Sequence, residues 1–159
     1  MYWDERHETM RPEELEALQI RRLRETIERV RHVPFYRDLL AHKGIRTEEI
    51  RTLDDVQKLP FTKKQDLRDG YPFGFFAVPL SKVVRIHTTS GTTGKPTVVG
   101  YTRGDIDRWS DLIARNLTMI GLTEDDIFQN AVNMGMFTGG LGFHYGAEKV
   151  GMTVLPAGT

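Results

Sequence analysis

Two runs rich in β-branched and aromatic residues, Val83 to His87 and Thr97 to Tyr101, flank a centre of threonine, serine, glycine and one lysine, TTSGTTGKP. The pattern predicts a strand, a mobile loop and a second strand. Within the loop, Gly91 and Gly94 let the backbone turn and come close to a ligand. Thr88, Thr89, Ser90, Thr92, Thr93 and Lys95 supply donors along it, and such a lining suits a polyphosphate. A plain hairpin connection is the alternative, but it does not need this many hydroxyls.

The loop departs from the Walker pattern, which needs a glycine where the chain has Thr89 and a Ser or Thr where it has Pro96. Thr97, Val98, Val99 and Tyr101 favour a strand after the loop, so phosphates would be held by amides, hydroxyls and Lys95 without a helix dipole.

Upstream, Leu15, Leu18, Leu23, Ile27 and Val30 recur at close to helical spacing from Pro12 to about Val33, with Glu and Arg between them. That face reads as solvated and salt-bridged. A short helix follows from Pro34 to Lys43, with Gly44 as its stop. Thr47, Thr52 and Thr62 are candidate caps for further short helices, and Gly70 ends the pattern. Residues 1–70 are therefore expected to be a helical segment and residues 71–159 an incomplete α/β domain. The aromatics after Tyr71 are expected to bury against the sheet.

Downstream, Thr102 is a candidate N-cap, and Ile106, Trp109, Ile113, Leu117 and Ile120 predict a long helix ending near Gly121. A strand at Ile127 to Val132, a glycine-rich bend at Gly135 to Gly142, a helix to about Val150 and a strand from Thr153 make a βαβ unit with parallel strands. The expected class is α/β, a helical segment followed by a mixed sheet. The bend lies at a strand's carboxyl end, where open α/β sheets place ligands. Gly139, Gly140 and Gly142 would admit a planar substrate between aromatic walls at Phe137, Phe143 and Tyr145, with simple packing as the alternative. His87 reads as a hydrogen-bonded structural histidine. His144, in the bend, is the better site candidate, although no acid partner stands out for it.

Basic and acidic residues number 22 each, so no basic footprint for nucleic acid or membrane surfaces is present. The absence of cysteine excludes disulfides and thiolate chemistry, and the five histidines never take a zinc-type spacing. No signal core or membrane span is evident, so a cytoplasmic location is the default.

Ser90-Gly91-Thr92-Thr93-Gly94-Lys95-Pro96 resembles the nucleotide-phosphate signature of the adenylate-forming superfamily. The opening YWDERHETM and the stretch FTGGLGFHYGAE, from Phe137 to Glu148, resemble the phenylacetate–coenzyme A ligases within it. The resemblance runs along the whole chain but matches only the front of these longer enzymes, which implies an N-terminal piece that is inactive alone.

It implies ATP, with Mg2+ bridging phosphate oxygens, bound by Thr89, Ser90, Gly91, Thr92, Thr93, Gly94 and Lys95. An aryl acid would lie at Phe137, Gly139, Gly140, Phe143, His144 and Tyr145, with coenzyme A as the acyl acceptor. No catalytic residue or protein metal ligand is expected within the chain, and a homodimer is a further expectation. Asn130 to Met134 departs from the Tyr- and Gly-richer residues of the resembling ligases, which bears on acid preference. Another adenylate-forming acid activator, or a non-catalytic nucleotide-binding module, are the competing readings.

Overall fold

The computed structural model describes residues 1–89, 95–136 and 138–158. The chain divides into two compact units, Met10–Leu80 and Met1–Thr9 with Ser81–Thr159. The helical unit thus runs to Leu80, and the first nine residues belong with the α/β unit.

In the helical unit, α2 (Pro12–Val30) buries Leu18 and Ile27 from its apolar stripe, and α3 (Pro34–His42) buries Leu40. The α1 helix (Glu5–Glu8) belongs to the other unit. Gly44 stops the α3 turn at a positive φ of 64°, a conformation a side chain rarely adopts. The core joins Ile27, Leu40, Ile45 and Ile50, flanked by Leu23, Val30, Tyr36 and Leu59. Thr52 and Asp55 form a capping box at the 3-10 turn Leu53–Lys58, as the sequence suggests for Thr52.

The other two expected caps have different partners. Thr47 is buried within a 3-10 turn and donates its hydroxyl to the Glu28 carboxylate. The Thr62 hydroxyl bonds the Tyr36 phenol at 2.8 Å, and α4 (Lys64–Asp69) is instead capped by Asp66, which accepts the Lys63 N–H at 2.7 Å. A threonine hydroxyl serves a tertiary partner as well as a helix end, and here the tertiary partners win. Phe75 packs on Phe35 and Tyr36, with ring centroids 5.0 and 5.6 Å away, so its burial comes from α3 and not from a sheet.

In the α/β unit, β1 (Val83–Thr88) and β2 (Val98–Thr102) pair antiparallel, with a register shift between Val83 and Arg85. Thr102 and Asp105 form a capping box that starts α5 (Arg103–Met119). That helix buries Ile106, Ala114 and Leu117, and stops before Gly121, whose φ is +94°. Ile120, expected in the apolar stripe, lies past the helix end and is exposed.

β3 (Ile127–Gln129), α6 (Thr138–Val150) and β4 (Thr153–Leu155) form the expected βαβ unit with parallel strands. The antiparallel and parallel pairings expected of one mixed sheet stand, among the described residues, in two separate two-stranded sheets. Leu117, Ala147 and Met152 form the core between α5, α6 and the parallel strands, with Phe128 and Val154 packed against them.

The strand expected to reach Val132 ends at Gln129 because Asn130 redirects the chain. Its side chain is buried, donates to the Gly140 carbonyl at 2.8 Å and accepts the Val132 N–H at 3.2 Å. The N-terminal segment is tied to α5: the Trp3 indole N–H donates to Asp111 at 3.3 Å, and Arg115 lies 3.4 Å from Glu8 and 3.8 Å from Asp4.

Candidate functional site

The candidate phosphate loop connects β1 to β2, so the hairpin alone fixes where its two ends emerge. Ser90 to Gly94 lie outside the described residues, and so does the expectation of a mobile loop there. At the neck, the Thr89 N–H donates to the Thr97 carbonyl at 3.1 Å and the Thr97 N–H donates to the Thr89 hydroxyl at 3.0 Å. Thr89 therefore closes the neck with both its backbone and its hydroxyl oxygen. Lys95 stands on the far side of the neck with an exposed side chain.

The carboxyl end of β1 is pinned to the segment that leads into α6. The Met136 carbonyl accepts both the Thr88 N–H, at 3.2 Å, and the His87 Nδ1–H, at 2.9 Å. The phosphate loop and the aromatic stretch are 40 or more residues apart in sequence, yet they leave one junction. His87 is 2% exposed, consistent with a structural histidine, and no described residue partners its Nε2. Its ring stands edge-on to Tyr101 and Trp109, with centroids 5.5 and 5.8 Å away, and those two stack on each other at 5.4 Å. Burial first, and then the Asp105 carboxylate, push the Tyr101 phenol up from its ordinary value, against the influence of Arg85. The phenol therefore stays neutral at ordinary pH.

The aromatic stretch is helix from Thr138 onward, so the bend expected to reach Gly142 is short. Phe137 lies outside the described residues. Two of the glycines expected to admit a substrate stand in close packing contacts. A Cβ on Gly142 would lie 2.5 Å from the Trp109 ring, and one on Gly140 would lie 2.6 Å from the Asn133 carbonyl oxygen. Gly146, four residues on, stands against Ile113 in the same way. Small residues at this spacing let α5 and α6 approach closely, which is why the helix persists through them. Gly139 sits half-buried in the first turn of α6.

Successive helical side chains point about 100° apart, so Phe143, His144 and Tyr145 cannot share one wall. Phe143 is 41% exposed and stacks on Phe128 of β3, with centroids 6.3 Å apart. Tyr145 faces the hairpin, with the Arg85 guanidinium 4.6 Å above its ring. His144 has an acid partner after all, since its Nε2 lies 3.2 Å from the Glu148 carboxylate. The four-residue spacing on a helix is the signal that identifies it. Arg85 and the Met136 carbonyl are the other site groups that the residue pattern did not reveal.

Among the described residues, no group of three His, Asp or Glu side chains is placed to hold a metal ion. No helix among them is long and apolar enough to cross a membrane.

No protein-family model matches the chain. Over 150 residues, 94% of its length, it is 52% identical to the phenylacetate-coenzyme A ligase of Escherichia coli (strain K12), of which that stretch is 34%. The Thermus thermophilus enzyme of the same name is 51% identical over 150 residues, and the Pseudomonas putida one 47%. The chain spans about a third of the length of these curated relatives. Among solved structures, an open conformation of 2-hydroxyisobutyryl-CoA ligase in complex with 2-HIB-AMP and CoA superposes with a TM-score of 0.91. It is 30% identical and covers 99% of this chain, which in turn covers 38% of it. The same ligase in its postadenylation state, with 2-HIB-AMP, superposes with a TM-score of 0.90. The fold is thus that of the N-terminal part of adenylate-forming coenzyme A ligases.

Proposed function

The chain belongs with the phenylacetate-coenzyme A ligases of the adenylate-forming enzymes, of whose length it spans about a third, and on that premise we propose that it serves ATP-dependent activation of phenylacetate or a close aryl acid. The observation that carries this reading is the junction at Met136, where the end of β1 and the start of the aromatic stretch are held by one carbonyl. A phosphate loop and an acid-binding segment must be close if a carboxylate is to reach the α-phosphorus of ATP.

In the first half-reaction the carboxylate oxygen attacks the α-phosphorus, and the bond to the bridging oxygen of the β-phosphate breaks. Acyl-adenylate and pyrophosphate result. Lys95 and donors of the loop from Thr89 to Gly94 would hold the β- and γ-phosphates as negative charge builds on the leaving pyrophosphate. Tyr145, Phe143, His144, Gly139, Gly140 and Phe137 are the acid-side candidates. Tyr145 is the strongest of them, because it faces the hairpin that carries the loop. In the second half-reaction the thiol of coenzyme A attacks the acyl carbon, and AMP leaves.

The chain spans about a third of its relatives' length, so both half-reactions are proposed for the full-length protein. A cytoplasmic location and self-association as a homodimer go with this reading.

The test is ATP–pyrophosphate exchange by the full-length protein with phenylacetate, benzoate, an amino acid and a short aliphatic acid. Phenylacetate or a close aryl acid should support exchange best; exchange with none of them sinks the proposal. Lys95→Ala should lower the exchange about 10- to 100-fold, the value of one charged hydrogen bond to a phosphate.

A further inference from the structure

His87 is not accounted for by either half-reaction, yet it occupies a point where the two candidate binding segments are tied together. It is fully buried, its Nδ1 lies 2.9 Å from the Met136 carbonyl oxygen, and that carbonyl also accepts the Thr88 N–H. A carbonyl oxygen only accepts, so Nδ1 carries the proton. In the neutral ring the lone pair then sits on Nε2, which no described residue partners. A histidine kept merely to fill the core would gain nothing from a buried nitrogen that no described residue partners, because such a group costs free energy. Edge-on contacts with Tyr101 and Trp109 leave the ring little freedom, so its direction is set before any ligand arrives.

We propose that His87 is a positioning residue for adenylation: its Nδ1–H clamps the Met136 carbonyl and so fixes the aryl-acid segment relative to the phosphate loop. The inference rests on the function proposed above. In-line attack tolerates little displacement between carboxylate and α-phosphorus, and a shift of about 1 Å costs on the order of 100-fold in rate.

The side-chain geometry supplies the test. Asparagine puts an amide nitrogen at nearly the position of Nδ1, whereas glutamine puts it near Nε2. In the full-length protein, His87→Asn should restore adenylation toward wild type. His87→Gln and His87→Leu should lower kcat on the order of 10- to 100-fold, with KM for ATP and for the acid each changed less than about threefold. Equal losses in all three variants, or losses that follow only the folded fraction, overturn the proposal.

Two readouts do not depend on activity. Selectively labelled wild-type histidine should show Nδ1 of His87 bearing the proton, and a ring protonated on Nε2 alone overturns the clamp even if every variant misfolds. Hydrogen exchange of the Thr88 amide should stay slow in His87→Asn and quicken in His87→Gln. If the wild type shows no acid-dependent exchange, the functional reading fails, while the labelling and amide measurements still decide the clamp.

Discussion

Adding one methyl group at Gly142 should separate packing from ligand approach as the reason for that glycine. A Cβ there would meet three atoms of the Trp109 indole, Cζ2 at 2.5 Å, Cε2 at 2.7 Å and Nε1 at 2.8 Å. Ordinary carbon contacts begin near 3.4 Å, so the indole or the helix must shift by about 1 Å. The indole stacks on Tyr101 and meets His87 edge-on, so it has no slack on its other side. Overpacking of this kind costs about 1–3 kcal/mol, against a helix-propensity gain of about 1 kcal/mol for alanine over glycine. Gly104→Ala supplies the control, because a Cβ there meets nothing closer than 3.8 Å. Reduced freedom of the unfolded chain favours both substitutions, so most of the difference between the variants reads the clash, about 1–3 kcal/mol. Thermal unfolding should show it as a gap of roughly 2–4 °C per kcal/mol for a chain of this size. If Gly142→Ala proves as stable as Gly104→Ala, the close packing of α6 on Trp109 is wrong.

Two further outcomes follow from the same structure. Burial pushes the Asp105 carboxyl up, but hydrogen bonds from the Thr102 side chain and backbone, and then Arg108, outweigh it and hold the group below its ordinary value. Its contribution to stability is therefore present above about pH 4 and lost as the pH falls through the lower folded value; in Asp105→Asn the urea midpoint should lose that part of its acid dependence. Ile50 has no exposed surface in the core of the helical unit, so Ile50→Ala should cost about 2–5 kcal/mol in urea unfolding of that unit.

The features legible in the sequence were those set by local rules. The stop at Gly44, the Thr102 cap and the βαβ order each need only a few neighbouring residues and stand as read, and the α2 stripe does so except at Leu15, which is exposed. What the sequence left hidden depends on partners far along the chain. Thr47 and Thr62 looked like caps because nothing local identifies Glu28 or Tyr36 as the better partner. Gly140 and Gly142 looked like a bend because glycine serves turns and tight helix contacts alike, and only the facing Trp109 and Asn133 decide between them.

The candidate site was half legible for the same reason. Its loop and aromatic stretch are contiguous motifs, whereas the bond between His87 and Met136 spans 49 residues. His144 and Glu148 were the exception, a local pair that helical spacing identifies once the helix is seen to begin at Thr138.

The most direct measurement is a structure of the full-length protein with phenylacetate and a non-hydrolysable ATP analogue bound. The account predicts the β- and γ-phosphates against the β1–β2 loop with Lys95 in contact, and the aryl ring beside Tyr145 on the far side of the Met136 junction. A triphosphate bound away from that loop, or an acid bound away from the start of α6, contradicts it.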